Sequence, residues 1–171
     1  MKWIGWSVIL LAVLIGLFVA IRTVVRVWGA ARRSFCQYRT VSADALAAHV
    51  RRLLRRGQAG AALVITDSVT DRFVQLRKYV HSQEHYGLSF DFPRAPWSEP
   101  YYRELQARLE TEHREFVLQP TLDHPVEEFL QVDCGKDAEF ADRLTRMVLF
   151  EIFKLPVQRR LRVSDEATAA R

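Results

Sequence analysis

Cysteine is scarce: Cys36 and Cys134 are the only two in 171 residues. They form no disulfide framework, and a reducing compartment suits the chain. Glycine is thinly spread as well, and Gly57, Gly60, Gly87 and Gly135 build no loop able to cradle a phosphate. Ser68 lies in Thr66-Asp67-Ser68-Val69 rather than in a G-x-S-x-G elbow, which removes that type of serine nucleophile. No recognised nucleic-acid motif accompanies the net charge of +5, so no nucleic-acid partner is expected. Nothing in the sequence calls for a cofactor. After residue 21 there is also no long apolar run.

Before that point there is one. Residues 3–21, WIGWSVILLAVLIGLFVAI, carry no ionisable side chain. As a helix rising about 1.5 Å per residue they reach roughly 28 Å, close to the ~30 Å hydrocarbon core of a bilayer. The expectation is a single transmembrane anchor over residues 1–22. Its length, and the Arg22, Val24, Val25 and Arg26 that follow, argue against a cleaved signal peptide. Only Lys2 precedes the run, whereas Arg22, Arg26, Arg32 and Arg33 follow it. The positive-inside rule therefore puts the rest of the chain on the cytoplasmic side of a bacterial inner membrane. Those four arginines are the expected membrane-surface residues, with anionic lipid headgroups as their partner. Within the run, Ala12, Gly16 and Ala20 share one helical face. Small residues at that spacing let two helices approach closely, which allows a homodimer.

A basic connector, 23–41, leads to a stretch of one domain's length, 42–155. Ser42 offers a helix cap, with Leu46, Val50, Leu53 and Leu54 at helical spacing and Arg51, Arg52, Arg55 and Arg56 mainly on the opposite side. Gly57 and Gly60 end that helix. Strands are expected at 61–66, 73–80 and 86–92. In the last, Tyr86, Leu88, Phe90 and Phe92 face one way and Gly87, Ser89 and Asp91 the other. Pro93 and Pro96 make 93–97 a loop, because proline cannot donate to a ladder. Ser98, Glu99 and Pro100 start a helix running to 113. Strands at 115–119 and 127–134 follow. Asp137 then caps a closing helix to 155, with Phe140, Leu144, Met147, Val148, Ile152 and Leu155 in one stripe. Residues 156–171 lack apolar periodicity and read as a mobile tail. Strands in runs separated by helices make the fold class α+β, with one mainly antiparallel sheet and helices against one face.

The order α-β-β-β-α-β-β-α over 42–155 resembles that of type III secretion chaperones and of the related YbjN and TY-Chap-type domains. Asp71-Arg72-Phe73-Val74-Gln75-Leu76 is similar to their second strand, and 138–155, AEFADRLTRMVLFEIFKL, to their closing helix. The resemblance implies a protein-binding module, often dimeric, without chemistry of its own. The transmembrane anchor is a departure from the secretion chaperones.

Two local patterns carry candidate sites. His81-Ser82-Gln83-Glu84-His85 matches H-x-x-E-H, in which two histidines on one helical face grip zinc and the glutamate acts as base. Here it sits between two strand patterns, so His81 and His85 are weak metal candidates at the tip of a hairpin. Trp97, Tyr101 and Tyr102, around a proline-rich loop, are candidates for binding a protein partner, since exposed aromatics make interface anchors. The leading expectation is a membrane-anchored, non-enzymatic protein-binding module: an adaptor, chaperone-like or immunity-type protein. The alternatives are a metal-dependent hydrolase using His81, Glu84 and His85, and a membrane organiser that self-associates through Ala12, Gly16 and Ala20.

Overall fold

The chain forms seven strands: β1 (Arg39–Val41), β2 (Ala62–Asp67), β3 (Phe73–Val80), β4 (Tyr86–Arg94), β5 (Val117–Pro120), β6 (Glu128–Gly135) and β7 (Leu161–Glu166). In the computed structural model, which describes residues 39–121 and 128–166, they form one antiparallel sheet in the order β1-β7-β2-β3-β4-β6-β5. Three helices accompany it: α1 (Leu46–Arg56), α2 (Glu99–Thr111) and α3 (Ala138–Arg146), the last continuing as a π-helical segment, Met147–Ile152. The fold is α+β. The apolar run at 3–21, the arginines at 22, 26, 32 and 33, and the Ala12, Gly16 and Ala20 face lie outside the described residues. Among the described residues no helix is long and apolar enough to cross a membrane.

The core lies between the helices and one face of the sheet. Register aligns Leu63 with Leu76, Leu76 with Phe90, and Phe90 with Val132, so a row of large apolar side chains crosses four strands. Leu46, Val50 and Leu53 of α1, Leu105 and Leu109 of α2, and Leu144 and Val148 of α3 close over it. Each fully buried side chain of this size contributes about 1.5–3 kcal/mol through loss of apolar surface to water.

Helix ends follow local chemistry, in part differently from expectation. Asp137 caps α3, accepting from the amides of Glu139 and Phe140 at 3.0 and 2.8 Å. Ser98 stands where expected but makes no side-chain cap bond, and Ser42 precedes a 3-10 turn, Ala43–Ala45, rather than α1, again without a cap bond. The buried Ser98 hydroxyl instead donates to the Pro93 carbonyl at 2.7 Å and accepts from the Ala95 amide at 2.8 Å. Those backbone groups are out of water's reach and require a partner. At the end of α1, Lys78 crosses from β3 and donates to the Leu54 carbonyl at 2.7 Å. That satisfies an orphan acceptor and sets a cation at the negative end of the helix dipole. Gly57 follows with an ordinary φ of −62°. It is required for space: a Cβ there would lie 2.5 Å from the Leu53 carbonyl oxygen.

Three expectations are corrected. Residues 93–97 are not all loop, because β4 continues through Pro93 to Arg94, paired with β6. The last β3 partner of β4 is at Asp91, so at Pro93 the strand has a neighbour on one side only and loses no second ladder. The stretch 156–171 is not simply a tail: β7 inserts between β1 and β2, burying Leu161 and Val163. Two apolar residues around one arginine are too short a pattern to signal a strand; long-range pairing creates it. The connector 23–41 likewise ends in β1.

Candidate functional site

The H-x-x-E-H segment forms the β3–β4 turn. The His81 amide donates to the His85 carbonyl at 2.9 Å, and the two rings lie 5.2 Å apart beside Tyr79. The hairpin thus brings the histidines together without a helix beneath them. Among the described residues no group of three or more His, Cys, Asp or Glu side chains is gathered to hold a metal.

Below this turn the sheet face away from the helices is polar across β3, β4 and β6. Gln75, Asp91 and Gln131 form one row and Arg77, Ser89 and Asp133 the next. Asp91 has no exposed surface. Arg77 Nε stands 3.2 Å from its carboxylate, Gln75 donates at 3.4 Å, and the Ser89 hydroxyl also donates to it. Burial nevertheless pushes the Asp91 carboxyl above the usual range, outweighing those partners. Tyr79 lies across Gly87, where a Cβ would fall 2.5 Å from the phenol oxygen, and donates to Asp133 at 2.8 Å. Burial and that bond raise its phenol to about 12. A recess of about 350 Å³ opens here between Arg77, Tyr79, His81, His85 and Gln131. Its central polar groups are largely bonded to one another. Cys134, on the core face of β6, is buried, and burial together with neighbouring Asp133 raises its thiol to about 12, which makes it inert as a nucleophile.

Of the aromatic residues expected to meet a partner, Tyr102 is buried and Trp97 and Tyr101 are partly buried. Tyr102 is 2 % exposed, and its hydroxyl donates to Glu128 at 3.0 Å. Trp97 is half-buried against Phe73, Phe92 and Phe153, with ring centroids 5.5, 6.4 and 6.3 Å away. Tyr101 stacks edge-on against Phe153 at 5.1 Å, and the Arg72 guanidinium lies 4.7 Å over its ring. Arg94 fastens this corner, reaching Glu99 at 2.9 Å and Glu128 at 3.0 Å.

A different aromatic surface lies between α2 and α3, in a groove of about 480 Å³. Phe140, Met147 and Phe150 line it and are only partly buried, while Leu109 and Leu144 form its floor. The Arg114 guanidinium sits 4.8 Å over the Phe140 ring, and Arg143 approaches the same ring at 6.0 Å. Arg108 is neutralised by Glu151 at 2.6 Å and Glu104 at 3.0 Å, and Arg146 by Asp142 at 2.7 Å. Arg114 and Arg143 have no ion-pair partner among the described residues. Sequence reasoning assigned Phe140 and Met147 to the buried stripe. Both are partly buried at the edge of the core, while Leu144, Val148, Ile152 and Leu155 of that stripe are buried and Leu149 and Phe153 join them.

Comparison with known proteins yields no match to the chain among family descriptions, curated sequences or solved structures.

Proposed function

We propose that this chain is a membrane-tethered protein-binding module whose α2–α3 groove receives an acidic segment of a partner protein bearing apolar side chains. One observation carries the reading: Phe140, Met147 and Phe150, only partly buried, line a groove edged by Arg114 and Arg143, neither of which has a carboxylate partner among the described residues. Aromatic residues, methionine and arginine are the residue types enriched where proteins meet, and a recessed aromatic surface offers an anchor site. The two arginines favour acidic partners and speed their encounter. The resemblance to secretion chaperones supports a binding role without chemistry. The span 46–152 keeps the helix and strand order on which that resemblance rests. The tether is the apolar run at 3–21, with Arg22, Arg26, Arg32 and Arg33 holding the domain on the cytoplasmic side of a bacterial inner membrane.

The test is photocrosslinking in membranes with the full-length chain carrying a photoreactive residue at Phe150 or, as control, at Val117 on the sheet edge. The expected result is a crosslinked partner from position 150 only, lost when Arg114 and Arg143 are both changed to Glu. Crosslinking from 117 but not 150, or crosslinking indifferent to the two charge reversals, overturns the groove as the site.

A further inference from the structure

Helix α1 presents Arg51, Arg52, Arg55 and Arg56, all exposed, on the side away from the buried Leu46, Val50 and Leu53. The helix contains no acidic residue. None of the four arginines has an ion-pair partner among the described residues. Asp165 lines the recess beside Arg52 and Arg56 without pairing to either. Several arginines elsewhere, Arg94, Arg103, Arg108, Arg146 and Arg162, each meet a carboxylate, whereas, among the described residues, Arg114 and Arg143 at the groove do not.

The charge along the chain points the same way. From residue 22 to residue 66 the only carboxylate is Asp44, against Arg22, Arg26, Arg32, Arg33, Arg39 and the four arginines of α1. We infer that α1 lies with its arginine face on the anionic surface of the membrane, so that the domain is held in one orientation rather than swinging on its tether. This rests on reading residues 3–21 as the anchor. The connecting residues 22–38, at no more than about 3.6 Å each, span up to about 60 Å, ample for α1 to reach the headgroups. The partner is the bilayer rather than an acidic protein because the helix is separated from the anchor by a short stretch that sets five arginines against the single carboxylate of Asp44. Each arginine brought to an anionic surface strengthens association about fivefold at low salt, and the four act together within a Debye length of it. Orientation is the consequence for function: with α1 pressed to the lipid, an adaptor presents its remaining surfaces at a set height and angle.

The experiment uses the full-length chain with Cys36→Ser, leaving the buried Cys134, and a fluorophore attached at Ala48→Cys on the arginine face or, as control, at Val117→Cys. Each is reconstituted into phosphatidylcholine vesicles with and without phosphatidylglycerol, both containing a headgroup-labelled quenching lipid. The expected result is quenching at 48 well above that at 117 in the anionic vesicles, falling to the control level in high salt and in the Arg52→Glu, Arg56→Glu chain. Equal quenching at 48 and 117 in anionic vesicles with which the chain still floats overturns the orientation alone. A chain that floats with neither kind of vesicle overturns the anchor and this inference with it. Circular dichroism of the charge-reversed chain separates loss of docking from loss of fold.

Discussion

Trp97 and Phe140 occupy similar places, each half-buried at the start of a helix, yet they are used in opposite ways. Trp97 touches three rings, and Tyr102 nearby ends in a hydrogen bond to Glu128. Around Phe140 the neighbours are guanidinium groups and the rim of a groove. The contrast teaches that an aromatic residue's availability is set by which surfaces surround it. Composition around it is a poor guide, since the Trp97 region is the richer in aromatics and is the one consumed by packing.

Substitution offers the strongest way to break that contrast. Trp97→Ala is expected to cost about 3 kcal/mol in urea unfolding, the cost of removing a large ring from a packed cluster. Phe140→Ala is expected to cost about 1 kcal/mol, because the ring lies at the edge of the core with part of its surface in water. Equal losses would show that both rings serve the core. Tyr102→Phe sharpens the same point by removing only the hydroxyl, for an expected loss of about 1 kcal/mol, with Glu128 keeping Arg94 as partner. An unchanged midpoint would mean that the bond to Glu128 is not worth its desolvation.

The smallest expected effect is a pH dependence of opposite sign at two fully buried carboxylates. Burial acts to raise Asp67, but the Thr70 hydroxyl and amide, the Val69 amide and Arg159 outweigh it, and its carboxyl is held below the ordinary 3.8. Its stabilising contribution is present above that value and is lost as pH falls through the folded-state pKa. At Asp91 burial wins and the carboxyl is raised, so stability is lost as pH rises from about 3.8 through the folded-state pKa. Unfolding between about pH 3 and pH 7 should therefore show Asp67→Asn falling further behind the parent as pH rises, and Asp91→Asn gaining on it. Parallel curves would remove the distinction.

Much of the domain was readable from residue order because its signals are local. The alternation at 73–80 and 86–92 yields the β3–β4 hairpin, and the stripe Leu46, Val50, Leu53 yields α1. The hairpin also explains why His81 and His85 face each other without a helix. β7 was unreadable for the converse reason: Leu161 and Val163 become strand residues only because β1 and β2 stand on either side. The α2–α3 groove is not legible in the sequence because it exists only where residues of α2 and α3, distant along the chain, come side by side.

Sequence by itself determined what depends on neighbours along the chain: the apolar run at 3–21 and its arginine flank, the α+β class, the cap at Asp137, and the absence of acidic residues within α1. Tertiary structure alone decided what depends on distant partners: that Tyr102 is buried and Trp97 and Tyr101 pack among other rings, that β7 completes the sheet, and that Phe140 and Phe150 line a groove between α2 and α3. The physical reason is range. Periodicity and charge are set within a few residues, whereas burial is the removal of surface from water by whatever the folded chain brings against it.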